Sequence, residues 1–508
     1  MPSPSRSTVR SERRPNGAGT HAAAPSPGDA AGALPCSRRA FLRQGAAGLS
    51  LLAGSILTPS AAWGAASVLP PSRRVAVGLI GIGAMGSGHL RRLVADPGFQ
   101  VVGVCDTDRQ RRESARTIVD ERYATDRTRG TYRGCTAYND YRDLVARADL
   151  DAVLIATPDH WHALQSIDAA KAGKDVYCEK PISLTIDEGR RVVDAVRRYQ
   201  RVFQTGTQYR SIPTIRHICR FIREGGLGRV QSVFTLFNNL ASFMGAGRFK
   251  PYEAILNVDR CGASYVPLDF PLPAAPVPEG LDWDLWVGPA AWRPYHPLYH
   301  INPSPGVVPW SFCDSFGATS LTWHLAHSAD VIQFALGEER SGPVEIIHPS
   351  SGEFPTLTCR YACGARLHFV DHWGMVKDLY HAVPADARLA GNFGGVFVGE
   401  RGWITTMSTG GQVEGGPDAL FSALNLPTRE VNIGSNDHHA NWLESMRRRT
   451  MPSCDEELGH RTASLGHLAN IACTTGRSLR WDPVLESFPS GAAANRLRAR
   501  TMRPPWRI

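Results

Sequence analysis

The sequence has 508 residues, 43% of them hydrophobic and 20% charged, a balance typical of a globular protein long enough for two domains. Its net charge of +9 lies at the two ends, since residues 1–66 and residues 491–508 each contribute +5 and leave the rest close to neutral. That distribution excludes a nucleic-acid-binding groove, so we expect no nucleic-acid partner. The 11 cysteines contain no C-x-x-C pair, which excludes a zinc ribbon and argues against a disulfide framework.

Residues 1–66 predict a disordered leader that ends in an export signal. The stretch "SRRAFLRQ", which begins at Ser37, matches the twin-arginine motif, and an apolar run follows from Gly45 to Leu57. This run is shorter than the roughly 20 residues that span a bilayer, and small residues follow it as at a cleavage site. We therefore expect the twin-arginine machinery to export the protein to the periplasm or the cell exterior. A membrane tether and a disordered basic tail are the alternatives.

The stretch "VAVGLIGIGAMGSGHL" predicts a strand, a glycine-rich turn and a helix. Gly81, Gly83 and Gly86 have G-x-G-x-x-G spacing, which permits close approach of a dinucleotide pyrophosphate to a helix N-terminus. A second apolar run ends in Asp106, placed to bind both hydroxyls of a ribose and to repel a 2′-phosphate. We expect NAD rather than NADP, although Arg109 nearby suits the phosphate of NADP.

Further strands and helices alternate along residues 73–206. The segments "DLDAVLIATP", "DVYCEK" and "VFQTGTQ" predict strands, while "HALQSIDAAKAGK" and "TIDEGRRVVDAVRRYQ" predict helices. Alternation of this kind indicates an α/β fold with a doubly wound parallel sheet, here an NAD-binding Rossmann domain. Residues 207–488 form the expected second domain and residues 489–508 a basic tail. Ligands of such sheets bind where the strands end, at Asp106, residues 157–162, residues 179–181 and Gln208.

The glycine motif, "ATPDHWH" and "EKP" together resemble the Gfo/Idh/MocA family of sugar and cyclitol dehydrogenases. The resemblance extends from about Arg73 to Phe488 and includes "GLDWDLWVGPAAWRPYHP" and "GHLANIA". It implies a C-terminal α/β domain whose open, mostly antiparallel sheet covers the nicotinamide, and a homo-oligomer, either dimer or tetramer. The leader matches secreted members of the family, which is related to glucose-fructose oxidoreductase and to NAD-dependent glycosidases.

The resemblance also implies a set of site residues. Lys180 lies beside the nicotinamide and the oxidised hydroxyl, and Pro181 fixes its turn in the cis form. A partly desolvated lysine there has a lowered pKa and accepts the hydroxyl proton. The implied cofactor-binding residues are Gly81, Gly83, Met85, Gly86, Asp106, Thr157, Asp159, His160, Trp161, His162, Glu179, Lys180 and Gln208.

The second catalytic group is expected from "SFGATSLTWHLAHSADVIQFALG". Counting back from Asp330 places His327 on the family's catalytic histidine, while Trp323 stands where the family has an aspartate. Asp330, three residues after His327 on a helix, is placed to orient its imidazole. The further substrate candidates are His324, Asp330, Tyr295 and His296. A metal site built from His324, His327, His438 and His439 lacks accompanying carboxylates, so we expect no metal.

Three functions remain open at this point. The first is oxidation and reduction of a sugar or cyclitol hydroxyl by a tightly bound NAD that is recycled within each turnover, because an exported protein meets no pool of free NAD. The second is a redox glycosidase, in which transient oxidation at C3 permits elimination of the C1 substituent. In that reaction His327 or a tyrosine removes the C2 proton and Lys180 serves the C3 hydroxyl. The third is a catalytically diverged sugar-binding protein.

Overall fold

The computed structural model describes residues 74–236, 272–302, 309–406, 411–432, 434 and 436–508, apart from the side chains of residues 312, 319–321, 323 and 324. The predicted leader and export signal lie outside this part of the chain. Within it, no helix combines the length and the apolar character needed to cross a bilayer. The cysteines of the same residues form no disulfide.

Six parallel strands form the first sheet, in the order β3–β2–β1–β4–β5–β6. They are β1 (Val75–Ile80), β2 (Phe99–Cys105), β3 (Thr136–Tyr138), β4 (Ala152–Ile155), β5 (Asp175–Cys178) and β6 (Phe203–Thr205). All but β3 are largely buried, because helices cover both faces of the sheet. The predicted doubly wound parallel sheet is confirmed, and only β3 was too short to leave a pattern in the sequence.

Helices connect these strands. They are α1 (Ala84–Ala95), α2 (Arg109–Arg122), α3 (Ala124–Thr128), α4 (Tyr141–Val145), α5 (Asp159–Lys171), α6 (Ile186–Arg198) and α7 (Pro213–Arg223). Helix α5 ends as predicted before Gly173, whose φ of 78° lies in the left-handed region that glycine tolerates. Helix α6 begins at a cap in which the hydroxyl of Thr185 accepts a hydrogen bond from the N–H of Glu188.

The second sheet contains eight described strands in the order β13–β12–β11–β7–β10–β9–β8–β14. They are β7 (Val230–Leu236), β8 (Pro343–Ile347), β9 (Thr358–Tyr361), β10 (Arg366–Val370), β11 (Val396–Gly399), β12 (Gly402–Thr405), β13 (Gly415–Gly416) and β14 (Leu479–Arg480). Only β7 and β10 pair in parallel, and every other pair in this sheet of described strands is antiparallel. The expected open, mostly antiparallel sheet is therefore present.

The helices after β7 cover this second sheet or return to the first. They are α8 (Trp283–Val287), α9 (Pro297–His300), α10 (Thr319–Leu336), α11 (Gly374–Asp378), α12 (Asp418–Leu424), α13 (His438–Arg448), α14 (Glu456–Thr475) and α15 (Ala492–Arg496). Helix α13 belongs to the core of the first domain, where Trp442 stacks on Phe99 with ring centroids 5.5 Å apart.

The predicted basic tail, residues 489–508, folds back onto the first domain. Arg500 forms a 2.8 Å ion pair with Glu188 of α6, and Trp506 packs against the core of the parallel sheet. The positive charge of this segment is thus partly neutralised by contacts within the chain. Its sequence signalled charge but not these partners.

Candidate functional site

One cavity of about 470 Å³ lies at the carboxyl ends of the parallel strands. Its lining extends from Gly81 and Gly83 after β1, past Asp106 after β2 and Thr157 after β4, to Lys180 after β5. The second domain closes the cavity with residues that follow β7 in the sequence. This is the edge at which doubly wound sheets bind their ligands, and it is the edge that the sequence predicted.

The glycine loop has the shape that a pyrophosphate requires. Gly81 has a φ of 87°, and a Cβ atom on it would lie 2.7 Å from the backbone of Ala156 and Thr157. A Cβ atom on Gly86 would lie 1.9 Å from the carbonyl oxygen of Gly81, whereas one on Gly83 would meet no atom within 4 Å. Helix α1 carries no acidic side chain in its first turn. The loop therefore fits a dinucleotide, with Gly83 open to the ligand and Gly86 serving close packing.

Asp106 lines the cavity and also holds the glycine loop. Its Oδ2 accepts a 2.7 Å hydrogen bond from the N–H of Ile82, and its Oδ1 accepts a 2.9 Å bond from the N–H of Asp108. Burial raises the pKa of Asp106, while the positive charge of Arg111 opposes that shift. Arg111 lines the cavity beside this carboxylate and Arg109 does not. Any ribose bound here would share the carboxylate with the backbone of the loop.

The second domain supplies one wall of the cavity, and most residues of this wall were not predicted from the sequence. This wall is anchored beside Asp106, because Arg111 donates a 3.0 Å hydrogen bond to the carbonyl oxygen of His300 and Asn139 donates a 2.8 Å bond to Asp282. The density of aromatic residues was its only signal in the sequence. The cavity-lining residues of this wall are Leu285, Trp286, His300, Ile301, Asn302, Trp310, His327 and Phe393.

The first two residues of α5 join the domains. Oδ2 of Asp159 accepts a 3.0 Å hydrogen bond from the N–H of Ala318, just before α10. The backbone N–H of His160 donates to the carbonyl oxygen of Phe316 at 3.1 Å, and Nε2 of the His160 ring lies 3.0 Å from the carbonyl oxygen of Trp286. Asp159 and His160 were both predicted to bind the cofactor; Asp159 lines the cavity, whereas His160 lies outside the lining and connects the two domains.

Trp161 and His162, which were predicted to bind the cofactor, both line the cavity. The two ring nitrogens of His162 lie 2.7 Å and 2.8 Å from the carbonyl oxygens of Pro181 and Thr157. His162 thereby ties the loop after β4 to the loop that carries Lys180. The indole N–H of Trp161 donates to the same Trp286 carbonyl at 3.1 Å.

Lys180 lies at the end of β5 and faces the cavity, and its peptide bond to Pro181 is cis as expected. Burial lowers the pKa of Lys180, against the raising effect of the negative charges of Glu179 and Asp159. Burial would raise the pKa of Glu179, but its hydrogen bond with His89 and the nearby positive charges lower that pKa to about 2. The pKa of Asp159 is instead raised to about 7 by burial. The cavity thus holds two carboxyl groups whose pKa values are shifted in opposite directions, downwards for Glu179 and upwards for Asp159.

Gln208 supports this end of the site from behind. Its side-chain amide donates 2.8 Å hydrogen bonds to Oε1 of Glu179 and to the hydroxyl of Tyr177. His89 contacts the same Glu179 oxygen at 2.9 Å and His439 at 3.0 Å. Gln208 therefore lies outside the cavity lining, although the sequence had predicted that it contacts the cofactor. His89 was missed, because a histidine after a glycine motif carries no signal of its own.

His327 of α10, predicted as a catalytic residue, lines the cavity, but Asp330 does not orient it. The Asp330 carboxylate forms a buried 2.7 Å ion pair with Arg210 and accepts a bond from Cys454. The His327 ring packs on Tyr209, with centroids 4.3 Å apart. The spacing of three residues places His327 and Asp330 on one side of α10. It could not reveal that Arg210, from another segment, pairs with the Asp330 carboxylate.

Two other substrate candidates lie away from the cavity. Tyr295 is buried against Trp283, and the His296 ring accepts a 3.1 Å hydrogen bond from the N–H of Leu298 at the start of α9. The side chains of His324 and Trp323 lie outside the described residues. Among described side chains there is no cluster of three or more His, Cys, Asp and Glu that could hold a metal ion.

Comparison with known families now adds to this geometry. Residues 75–207 match the Gfo/Idh/MocA description "Oxidoreductase family, NAD-binding Rossmann fold", and residues 425–508 match "Oxidoreductase family, C-terminal alpha/beta domain". Two separate segments of the chain are therefore similar to the Gfo/Idh/MocA oxidoreductase family, and together they make up less than half of its 508 residues. The first matched segment contains the glycine loop and Lys180, and the second contains α13, α14 and the tail.

Curated relatives match mainly the first domain. A glycosyl hydrolase family 109 protein of Shewanella pealeana is 36% identical over 139 residues, which cover 26% of this chain and 28% of that protein. The uncharacterized oxidoreductase YrbE of Bacillus subtilis is 29% identical over 157 residues, which cover 31% of this chain and 42% of that protein. The chain thus matches less than half the length of either relative.

Solved structures resemble a larger part of the chain. The aldose-aldose oxidoreductase of Caulobacter crescentus has a TM-score of 0.50 at 15% identity, covering 80% of this chain and 100% of that one. An oxidoreductase domain protein of Kribbella flavida has the same TM-score and identity, covering 80% of this chain and 99% of that one. At this level of identity the likeness shows that the two-domain fold is shared.

Proposed function

We propose that this protein oxidises and reduces a hydroxyl group of a sugar or cyclitol with a tightly bound NAD that returns to its starting state within each turnover. The proposal includes export of a homo-oligomer, dimer or tetramer, by the twin-arginine route to the periplasm or the cell exterior. A retained cofactor would reconcile an export signal with a dinucleotide site. The name of the aldose-aldose oxidoreductase, a protein of the same fold, agrees with this kind of paired reaction.

One observation carries the proposal. The amine of Lys180 and the imidazole of His327 line the same cavity as the glycine loop, although they come from different domains. Gly81, Gly83 and the start of α1 would hold the pyrophosphate, and Asp106 a ribose. When bound, the dinucleotide supplies a hydride acceptor and donor.

The residues of the chain handle the proton. Burial lowers the pKa of Lys180, which favours the neutral amine that accepts a hydroxyl proton. Glu179 remains ionised, because its pKa is about 2, and it supplies a fixed negative charge beside the amine. His327 lies on the opposite wall, where it would orient the substrate or exchange a second proton.

The glycosidase alternative is favoured by the relatives of the first domain, several of which are named glycosyl hydrolase family 109 proteins. In that reaction a sugar transiently oxidised at C3 becomes acidic at C2, and His327 would remove the C2 proton. Loss of the C1 substituent and addition of water would follow, while Lys180 serves the C3 hydroxyl. The same cavity residues therefore serve both candidate reactions.

A two-channel assay separates these functions. Protein loaded with NAD is mixed with free sugars, cyclitols and aryl glycosides, while the absorbance of reduced nicotinamide and the released aryl alcohol are recorded together. Reduced nicotinamide, or reduction of a second sugar without aryl release, supports the proposal. Aryl release with exchange of the C2 hydrogen for solvent deuterium supports the glycosidase. If a loaded protein gives neither signal, both proposals are wrong and a sugar-binding role remains.

A further inference from the structure

Asp159 is a buried carboxylate with one oxygen left over. Its side chain is only 1% exposed, and Oδ2 accepts the N–H of Ala318 at 3.0 Å. Oδ1 is buried and makes no hydrogen bond, although burial of a carboxylate oxygen without a partner costs on the order of 1–3 kcal/mol. Such an oxygen persists in a fold when a ligand or a proton serves it. Asp159 lines the same cavity as Lys180.

Two carboxyl groups of this cavity have been placed in opposite environments. Glu179 receives hydrogen bonds from His89 and Gln208 on one oxygen, which stabilise its charged form. Asp159 has only the single backbone donor, which leaves its charged form poorly solvated. When two carboxyl groups in one site are driven apart in this way, the poorly solvated one is the group that exchanges protons.

We infer that Asp159 is the proton partner of Lys180, so that the Lys180 amine and Oδ1 of Asp159 together take up and return one proton in each catalytic cycle. The role of this pair in turnover rests on the proposed function. The coupling between the titrations of Lys180 and Asp159 does not. Asp159 acts through the amine and is therefore a positioning residue.

Hydride transfer and proton transfer are coupled in both directions of the reaction. With a dinucleotide held by the glycine loop and Asp106 as hydride acceptor, the O–H bond of the substrate hydroxyl would break as the hydride leaves the same carbon, and that proton would bind to the Lys180 nitrogen. The resulting ammonium would pass a proton to Oδ1 of Asp159 through a bridging hydroxyl, because this oxygen makes no direct hydrogen bond with the amine, and a carbonyl group would remain on the substrate. Return of the hydride takes the same proton back. The pair thus gains one proton on oxidation and loses it on reduction.

Charges around the pair come from several segments. Burial raises the pKa of Asp159 to about 7, against the lowering effect of the Ala318 hydrogen bond and of the charge on Lys180, while Glu179 adds to the rise. Burial lowers the pKa of Lys180, and the charges of Glu179 and Asp159 oppose that shift. The other titratable groups that face this end of the cavity or adjoin it are His162, Cys178, His327 and His89. None of these groups carries a negative charge that protonation near neutral pH would remove, as it removes the charge of Asp159.

The test follows the titration of Lys180 directly. The sequence contains only five lysines, so protein labelled with carbon-13 at lysine Cε gives few signals, and Lys180→Arg assigns the relevant one. In the wild type we expect this signal to show a second inflection near pH 7, in addition to its own titration. In Asp159→Asn that inflection disappears, and the Lys180 midpoint falls by about one pH unit. The amide oxygen of asparagine keeps the Ala318 hydrogen bond.

Matched variants make the outcome specific. Asp168→Asn, the same change on the same helix at a carboxylate bound to Tyr141, leaves the signal of Lys180 unchanged. Asp159→Glu restores the second inflection. A wild-type titration with a single inflection overturns the inference even if Asp159→Asn does not fold. The titration needs no turnover. If no sugar reacts but Lys180 and Asp159 titrate together, the proposed function is contradicted and the inferred coupling is not.

Discussion

The two walls of the cavity differ in how they are built. The wall from the parallel sheet places Asp106, Thr157 and Lys180 at successive strand ends, where the backbone of the sheet fixes them. The wall from the second domain consists of loops and one helix face, including Trp286, Trp310 and His327. The positions of the reactive groups on the first wall are set by the register of the strands. The shape of the second wall is set by contacts between segments that are distant in the sequence.

The joint between these walls is polar and buried. Asp159 and His160, at the start of α5, bind the backbone of the segment before α10 and the carbonyl group of Trp286. This joint connects two walls that differ in construction. The difference implies that substitutions on the sheet wall affect the reaction itself, and substitutions on the other wall affect which substrate reacts.

The largest expected effect tests that division. Lys180→Met removes the amine and should lower the rate of hydride transfer about 10³-fold, within the range of general acid–base catalysis, while NAD stays bound. His327→Asn, on the opposite wall, should lower it about 10²-fold. The measurement is the single-turnover absorbance of reduced nicotinamide, with NAD content determined after denaturation.

Lys171→Met is the matched control, because Lys171 lies at the exposed end of α5 and pairs with Asp168 at 3.7 Å. It should react like the wild type. If the His327 variant loses more activity than the Lys180 variant, the chemistry lies on the second wall and the comparison fails.

How far the sequence predicts each wall follows from the same difference. Gly83, Asp106 and Lys180 occupy strand ends, and strand ends can be located from apolar runs and turn residues in a single sequence. Thr157, Trp161 and His162 were predicted for the same reason and also line the cavity. The fold of the first domain was accessible because alternating buried strands and amphipathic helices leave a local pattern.

The remaining residues depend on long-range contacts. Asp330 was expected to orient His327, but Arg210 arrives from more than 100 residues earlier in the chain and binds it. Tyr295 and His296 belong to an aromatic segment whose composition does not tell which rings face inward. A hydrogen bond between distant segments leaves no spacing to detect, so sequence reasoning cannot assign such partners.

A smaller effect concerns the support behind the sheet wall. His438 of α13 is fully buried, with one ring nitrogen 2.7 Å from the carbonyl oxygen of Thr205 and the other 2.8 Å from the hydroxyl of Ser211, an arrangement that suits the neutral ring. Burial lowers its pKa from 6.5 to about 4. Its contribution to stability is therefore fully present above pH 6.5 and is lost as the pH falls towards 4.

His438→Gln should remove that dependence. Urea unfolding of the wild type from pH 7 to pH 4 should include a decline from this group of up to about 1.4 kcal/mol per pH unit, which the variant lacks. His372→Gln, at an exposed histidine, is the control and should keep the slope of the wild type. An unchanged slope in the His438 variant would show that the ring is already charged in the folded protein.

The smallest effect concerns the tail that supports the sheet wall from outside. The Trp506 ring meets the edge of Trp161 with centroids 4.9 Å apart, and the guanidinium of Arg142 lies 4.9 Å from the Trp506 ring. Trp506→Ala should therefore lower the free energy of unfolding by about 1 kcal/mol and weaken NAD binding slightly, because Trp161 lines the cavity. Urea unfolding and calorimetric titration with NAD measure the two quantities. Trp292→Ala, at a residue 58% exposed, should change neither, and equal behaviour of the two variants would mean that the tail covers the domain without supporting its cavity.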